Sequence, residues 1–292
     1  MFRRARPVRF VYAAQYRHSG STVMRGAQLS AIAAQSMPDR DVKYVELNVD
    51  IRNSVVFLTK GALKAMTMER LESLKKHKNV LLFDVVDELP PPITHGYADV
   101  LIAASHTAFV QHSINFPHLP VRLVNHHVDP RVSALQVAPP DDRLRTAYFG
   151  ETINAIFTSM ITETVQVVPI DTSRQSSSWI DHLAAYNLHY AVRATRDLDN
   201  YKPFLKGFTA AHCDSNILIQ ATEAEPAQWL GTDYPFLVQG PATEASILAA
   251  IEHARGCFGG PEWNQGLVRM REVRERTSPE RIGAEVRSAC AV

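Results

Sequence analysis

The stretch from Val121 to Glu151, VRLVNHHVDPRVSALQVAPPDDRLRTAYFGE, limits the folds open to this chain more than any other. An apolar run, Val121–Val124, gives way to a polar knot with two histidines and an Asp-Pro pair. A proline-bearing connector follows over 137–142, and a second strand-like run, Thr146–Phe149, ends on Gly150. Strand, breaker, linker and fresh strand near the middle of 292 residues mark a junction between two domains. On each side, short apolar runs alternate with longer amphipathic stretches, the sequence form of α/β domains built on parallel sheets. The boundaries read as a first domain over 1–130, a linker over 131–145, and a second domain over 146–292 that carries the terminal helices. Two such halves joined at a hinge are expected to bind ligand in a cleft at the carboxyl ends of their strands.

The first half places strands at Val8–Ala13, Val42–Leu47, Ser54–Thr59, Val80–Val86, Asp99–Ala104 and Val121–Val124. Helices are predicted at Met24–Gln35, from about Ala62 to Lys76, and from Thr107 to Ile114. In the second half, strands fall at Thr146–Phe149, Val165–Val168, Leu188–Val192, Asn216–Ile219 and Phe236–Val238. Its helices lie near Asn154–Thr164, Ser177–Ala185, Phe204–His212 and Thr243–Arg255, and the chain stays polar and helical from Gly259 onward, in helices expected to pack on, or cross back over, the two domains.

Composition narrows the function classes. A net charge of +1 gives no global field for nucleic acid. Arg3, Arg4, Arg6 and Arg9 crowd the start, which reads as a solvated lead-in to the first strand or as peripheral contact with anionic lipid. No apolar stretch approaches the roughly 20 residues of a transmembrane helix, and the start lacks the apolar core of a signal peptide. Cys213, Cys257 and Cys290 are few and far apart, which suits a reducing, cytoplasmic setting. Neither CxxC nor HExxH occurs, so the reading includes no metal site.

Several residues carry possible chemistry. Arg193 and Arg196 follow the Leu188–Val192 strand, and Lys202 and Lys206 flank Pro203 at a helix start. Such a group reads either as a pyrophosphate site or as a solvated basic start balanced by Asp197 and Asp199. Thr222, Glu223 and Glu225 follow the Asn216–Ile219 strand. They read as acceptors for sugar hydroxyls or as acids favourable at a helix N-terminus. Asp84 lies inside a buried strand and needs a structural partner. Asp87, with Glu88 and His95 as alternatives, is the candidate general base at that strand's carboxyl end. His18 and His127 lie in loops, where a histidine is either locally bonded or turned toward substrate.

Four segments together resemble glycosyltransferases of the GT-B fold, in which two Rossmann-like domains hold a nucleotide-sugar donor. The pattern is nearest to the bacterial group 1 (family 4) type. Ser19-Gly20-Ser21-Thr22, followed by Arg25 and Leu29, resembles the glycine loop of the acceptor-side domain, with His18 beside it. LLFDVVDE and ADVLIAAS, between Val80 and Ser105, are similar to the family's strand-Asp-x-x-Asp and Ala-Asp-strand-Ser pattern. NHHVDP resembles the turn that ends the first domain, and 200–225 occupies the place of the donor-binding helix. The resemblance implies a cytoplasmic glycosyltransferase with a glycan or glycolipid acceptor, acting in surface polysaccharide or glycoconjugate biosynthesis. It implies no cofactor and no metal, the nucleotide-sugar being a substrate. Tyr201 and Thr209 stand where retaining members carry two glutamates, Asp214 and Asn216 replace a Gly-x-Pro, and Glu151 replaces a basic residue. Those departures keep two alternatives open: a non-catalytic binding or partner subunit, or an epimerase or hydrolase on the same fold. A two-lobed periplasmic-type binding protein lacks support without a signal peptide, and a nicotinamide dehydrogenase lacks its GxGxxG.

Overall fold

The computed structural model describes residues 5–135, 137–171, 178–194 and 197–292. Arg3, Arg4 and Arg196 lie outside the described residues. The chain divides into two compact units. The first comprises Met1–His127, Asn200–Pro203 and Ser278–Val292, and the second Val128–Asp199 and Phe204–Thr277.

In the first unit, β1 (Val8–Tyr12), β2 (Val42–Glu46), β3 (Val55–Thr59), β4 (Val80–Asp84), β5 (Val100–Ala103) and β6 (Val121–Leu123) form one parallel sheet in the order β2-β1-β3-β4-β5-β6. β3, VVFLT, is buried along its whole length, as a central parallel strand covered on both faces must be. Edge strand β2, VKYVE, keeps only partial burial and carries a lysine and a glutamate. Val56, Leu58, Leu81, Phe83 and Leu101 fill one face of the sheet, and Phe10, Phe57, Leu82, Val100 and Ile102 fill the other. The order reverses between β1 and β3, so the carboxyl ends of those strands form the switch point where open α/β sheets receive ligands.

In the second unit, β7 (Thr146–Gly150), β8 (Val165–Pro169), β9 (Leu188–Tyr190), β10 (Asn216–Gln220) and β11 (Leu237–Val238) are again parallel, in the order β11-β10-β9-β7-β8. Here the switch lies between β7 and β9. Each strand overlaps a run that the sequence marks as apolar.

The helices depart from the sequence pattern in instructive ways. The stretch after Lys60 is two helices, Lys60–Lys64 and Met68–Lys76, because Thr59 caps the first and Thr67 caps the second. The first helical passage runs Gly20–Thr22, then a π-helical segment Val23–Gln28, then Leu29–Ser36. π segments are uncommon and cluster at functional sites. This one presents Arg25 inward, 1 % exposed, where its Nε and Nη2 donate to the Asp84 carboxylate at 2.8 and 3.2 Å and its Nη1 to the Asn125 carbonyl at 3.1 Å. Asp84 therefore has the structural partner that its buried position demands.

The last helix, Pro279–Ala289, corrects the sequence-based boundary, which assigned it to the second domain. Its Ile282, Val286 and Ala289 join the core of the first unit with Leu29, Ile32 and Ala33. A Cβ on Gly283 would come within 2.6 Å of the Ser36 Cβ, so glycine permits the two helices to touch. Ser36 Oγ donates to the Gly283 carbonyl at 3.1 Å, and Arg40 donates to the Cys290 carbonyl at 3.0 Å. The lipid-contact reading of the amino-terminal arginines loses Arg9, which sits in β1 and pairs with Asp41 at 2.6 Å. No helix among the described residues is long and apolar enough to cross a membrane.

Removing one partner of a buried pair leaves an uncompensated charge, at a cost of about 3–5 kcal/mol. Asp84→Asn is expected to lose that much unfolding free energy in denaturant titration. The double variant Arg25→Met/Asp84→Leu is expected to be the more stable of the two, because no lone charge remains inside.

Candidate functional site

Two groups of polar side chains gather at strand carboxyl ends, one in each unit. In the first unit, β1 runs into the Ser19–Thr22 turn. Ser19 Oγ donates to the Tyr16 carbonyl at 3.0 Å and lies within hydrogen-bond distance of Thr22 Oγ1, at 2.9 Å. Thr22 is wholly buried, Gly20 and Ser21 are partly covered, and His18 is exposed at the rim. The turn's hydroxyls are thus largely engaged in holding its own shape, and His18 is its outward-facing polar group.

Beyond β4 the backbone twists sharply. Val86 adopts φ of 45°, a left-handed conformation that a β-branched residue tolerates only under constraint. The constraint is Asp84, whose carboxylate accepts the Val86 N–H as well as the Arg25 guanidinium. The twist delivers Asp87 and Glu88 to Lys60, which directly follows β3. Lys60 Nζ lies 2.7 Å from Asp87 Oδ1 and 3.3 Å from Glu88 Oε1, and Lys64 Nζ holds Glu88 at 2.7 Å. Burial pulls the Asp87 carboxyl up, but the charge and hydrogen bond of Lys60 outweigh it and leave its pKa below the ordinary value. Burial likewise works to lower the Lys60 pKa, and its two carboxylates leave it raised. Asp87 is consequently ionised at neutral pH and a weaker base than a free carboxylate.

The histidines separate. His95 is exposed on the Thr94–Tyr97 turn, with its ring 4.7 Å from that of Phe116 and 5.3 Å from that of His118. His127 is buried, 2 % exposed, with Nε2 3.2 Å from Gln28 Oε1; burial, then His126 and Arg25, hold its pKa far down. Of the two sequence readings of His127, locally bonded or turned toward substrate, the structure has the first: it is packed inside as a neutral imidazole. His126, the other histidine of the NHHVDP turn, is also buried, with its pKa pushed down to about 4 by burial and by Arg25, and close enough to Asp87 for their charges to interact.

In the second unit, a cavity of about 550 Å³ opens beside the carboxyl ends of β9, β10 and β11. Ile156, Arg193, Gln220, Thr222 and the 240–242 turn line it. Gly240, at φ of 66°, permits the turn. The Arg193 N–H donates to Gln220 Oε1 at 3.1 Å, and Gln220 Nε2 donates back to the Arg193 carbonyl, which locks the cavity wall. The Arg193 guanidinium lies 3.0 Å from Glu223 and 3.4 Å from Asp199. Thr222 is exposed to the cavity. Glu225 departs from the sugar-binding reading: it is 4 % exposed and accepts the Trp229 indole N–H at 2.8 Å.

Lys206 is the unusual cation of this unit. Its Nζ donates to the Phe149 carbonyl and lies 4.3 Å from the centre of the Tyr148 ring. Gly150, at φ of 150°, makes room, since a Cβ there would come within 2.5 Å of Lys206 Nζ. Burial, then the charge of Arg193, bring the Lys206 pKa down to about 8, with Glu151 opposing. The predicted basic group therefore divides. Arg193 and Lys206 share the second unit within electrostatic reach of each other, Lys202 falls in the first, and the helix runs over Leu205–His212 with Lys206 in its first turn. Gln220 and Lys60 went unnoticed in the sequence, although each sits at a strand's carboxyl end, where a systematic scan would find it.

No family model and no curated protein sequence matches this chain. Solved structures do. A glycosyltransferase from Rickettsia africae superposes over 99% of this chain and 98% of its own, with a TM-score of 0.64 and 9% identity. Anabaena HepE in complex with UDP covers 97% of this chain and 99% of its own, at a TM-score of 0.60 and 10% identity. An Escherichia coli trehalose-6-phosphate structure bound with UDP-2-fluoro glucose covers 90% of this chain and 76% of its own, at a TM-score of 0.52 and 9% identity. At such identities the likeness establishes the fold, that of GT-B glycosyltransferases with two Rossmann-like α/β units.

The depressed Lys206 pKa carries a pH signature. Below about pH 8 the lysine is charged in both folded and unfolded chains, and its burial weakens the fold by the full amount. Between that value and the ordinary 10.5, the unfolded chain keeps a proton that the folded chain has lost, so stability rises with pH. Unfolding titrations of the native chain and of Lys206→Met are expected to converge in stability over this range, and a constant difference would remove the assignment.

Proposed function

We propose that this chain is a glycosyltransferase that moves a sugar from a nucleotide-sugar donor to a carbohydrate hydroxyl on a glycan or glycolipid. The observation that carries the reading is the cavity of the second unit, at strand carboxyl ends, with Arg193 in its wall and the half-buried Lys206 behind Gly150. Two cations held close together repel each other, and a pyrophosphate relieves that repulsion through charge-assisted hydrogen bonds. The GT-B likeness supports the same assignment, since HepE is in complex with UDP. Thr222 and Gln220 offer hydroxyl and amide groups for the remainder of the donor. The first unit is assigned the acceptor, with His18 at the rim and Asp87, steered by Lys60, as the carboxylate that orients or deprotonates the incoming hydroxyl. Glu88 shares Lys60 and supports that position.

UDP is the first ligand to test, by isothermal titration calorimetry. Arg193→Met is expected to weaken it by about 1.5–3 kcal/mol, the range for a hydrogen bond to a charged group. The Lys206 pKa is expected to rise when UDP binds, read as reduced reductive methylation at pH 8. Unchanged affinity in the variant would move the phosphate site elsewhere.

Turnover tests the other unit. With saturating donor, Asp87→Asn is expected to slow transfer by about 10²–10⁴-fold, the usual share of a positioned general base, while UDP affinity holds. A rate within a few-fold of the native chain would remove Asp87 from the chemistry. UDP binding with no transfer by the native chain to any glycan would instead favour the non-catalytic binding subunit.

A further inference from the structure

The helix Glu244–Cys257 ends in a sharp reversal, and the helix Pro261–Arg276 starts after three intervening residues. Gly259, at φ of 74°, takes the left-handed turn, and the Gly260 N–H closes it onto the Cys257 carbonyl at 2.9 Å. His253 and Cys257 are four residues apart and so share one helix face. The reversal lays Glu262, in the first turn of the following helix, over that face. Three side chains of different chemistry meet there: Cys257 Sγ is 3.0 Å from Glu262 Oε2, His253 Nε2 is 3.0 Å from Glu262 Oε1, and Sγ is 3.8 Å from both imidazole nitrogens.

We infer that His253, Cys257 and Glu262 form a binding site for a divalent transition-metal ion of the zinc type. Metal–ligand lengths of about 2.0–2.3 Å at tetrahedral angles put neighbouring donor atoms about 3.3–3.6 Å apart. With one donor atom taken from each residue, the atoms here all lie within 4.8 Å of one another; Sγ is 3.0 Å from one carboxylate oxygen and Nε2 is 3.0 Å from the other, so small side-chain rotations bring the set to that range. Thiolate, imidazole and carboxylate are each established zinc donors, and the thiolate disfavours magnesium and calcium, which take oxygen ligands. In the metal-free chain the Cys257 thiol donates its proton to Glu262. On binding, that proton leaves to solvent and the metal takes its place between sulfur and oxygen. His253 and Glu262 side chains are 46 % and 45 % exposed, so an ion reaches the site from solvent and keeps one position for water. Behind the site, Phe236 contacts the His253 ring at 6.2 Å and Trp263 at 5.3 Å, and Phe258 lies 4.9 Å from Trp263. This aromatic floor limits the positions open to the imidazole and to the turn. The site clasps two helices of the second unit and involves none of the residues assigned to the donor.

Cobalt(II) is the probe, because its bond to a thiolate absorbs in the near ultraviolet and its tetrahedral complexes absorb in the visible. The full chain, stripped with chelator and dialysed, is expected to show both bands, saturating at one equivalent and lost on adding zinc(II). The other two cysteines, Cys213 and Cys290, are buried, so the thiolate band reports Cys257. Cys257→Ser is expected to abolish that band, and Glu262→Gln to weaken cobalt binding at least about tenfold, with the far-ultraviolet circular dichroism of both unchanged. Zinc(II) is expected to raise the melting temperature of the native chain and not of Cys257→Ser. Absence of the thiolate band in the native chain, or a band of equal strength in Cys257→Ser, would overturn the assignment.

Discussion

The first unit depends on one buried ion pair. Arg25 and Asp84 are 1 % and 0 % exposed at the side chain, and neither could stay charged there alone. Their pairing fixes the π-helical segment against the end of β4, and the Asp84 carboxylate then holds Val86 in its left-handed turn. That turn decides where Asp87 and Glu88 emerge. The third guanidinium contact, to the Asn125 carbonyl, extends the network beyond β6, where the Asn125 N–H and amide donate to Glu285 at 2.7 and 2.9 Å. Positions 25, 84, 125 and 285 are thus linked through charge-assisted hydrogen bonds, stronger than neutral ones. Such a network constrains geometry more than it adds stability, because desolvation offsets much of its Coulomb energy.

The second unit solves a different electrostatic problem. It holds Arg193 beside Glu223 and Asp199, and it brings Lys206 inside with a backbone carbonyl and an aromatic face for company. A carbonyl dipole and a ring quadrupole stabilise an ammonium less than a carboxylate does, and the depressed pKa of Lys206 records the shortfall. The charge of Arg193 adds to the effect of burial, and that of Glu151 opposes it. Gly150 is the enabling residue, since its missing side chain makes space for the ammonium.

The strands were legible because a parallel strand covered on both faces must be a continuous apolar run, and β3, β4, β7 and β10 are such runs. The need of Asp84 for a partner was legible for the same reason. Side-chain engagement was not. Asp87 and Lys60 are 27 positions apart and meet only because β3 and β4 are neighbours. Glu225 reads as an exposed acid at a helix start, yet the bond from Trp229 four residues on turns it inward. The terminal helix offered no sign of its allegiance, because an amphipathic stripe states that a face is buried without stating against what. His253, Cys257 and Glu262 match no spacing motif, since a reversal between two helices brings them together.

The place of that last helix has a consequence for how the protein is made. The core of the first unit is laid down by residues up to His127, yet Ile282, Val286 and Ala289 are required to cover it. Between the two, the ribosome must emit the whole second unit, Val128–Asp199 and Phe204–Thr277. At about 5–20 residues per second, that interval lasts roughly 8–30 s. Throughout it, the apolar flank of the Leu29–Ser36 helix stays wet and available to chaperones or to another nascent copy. The second unit is synthesised within that interval, so the first core, whose strands are made first, receives its covering helix last.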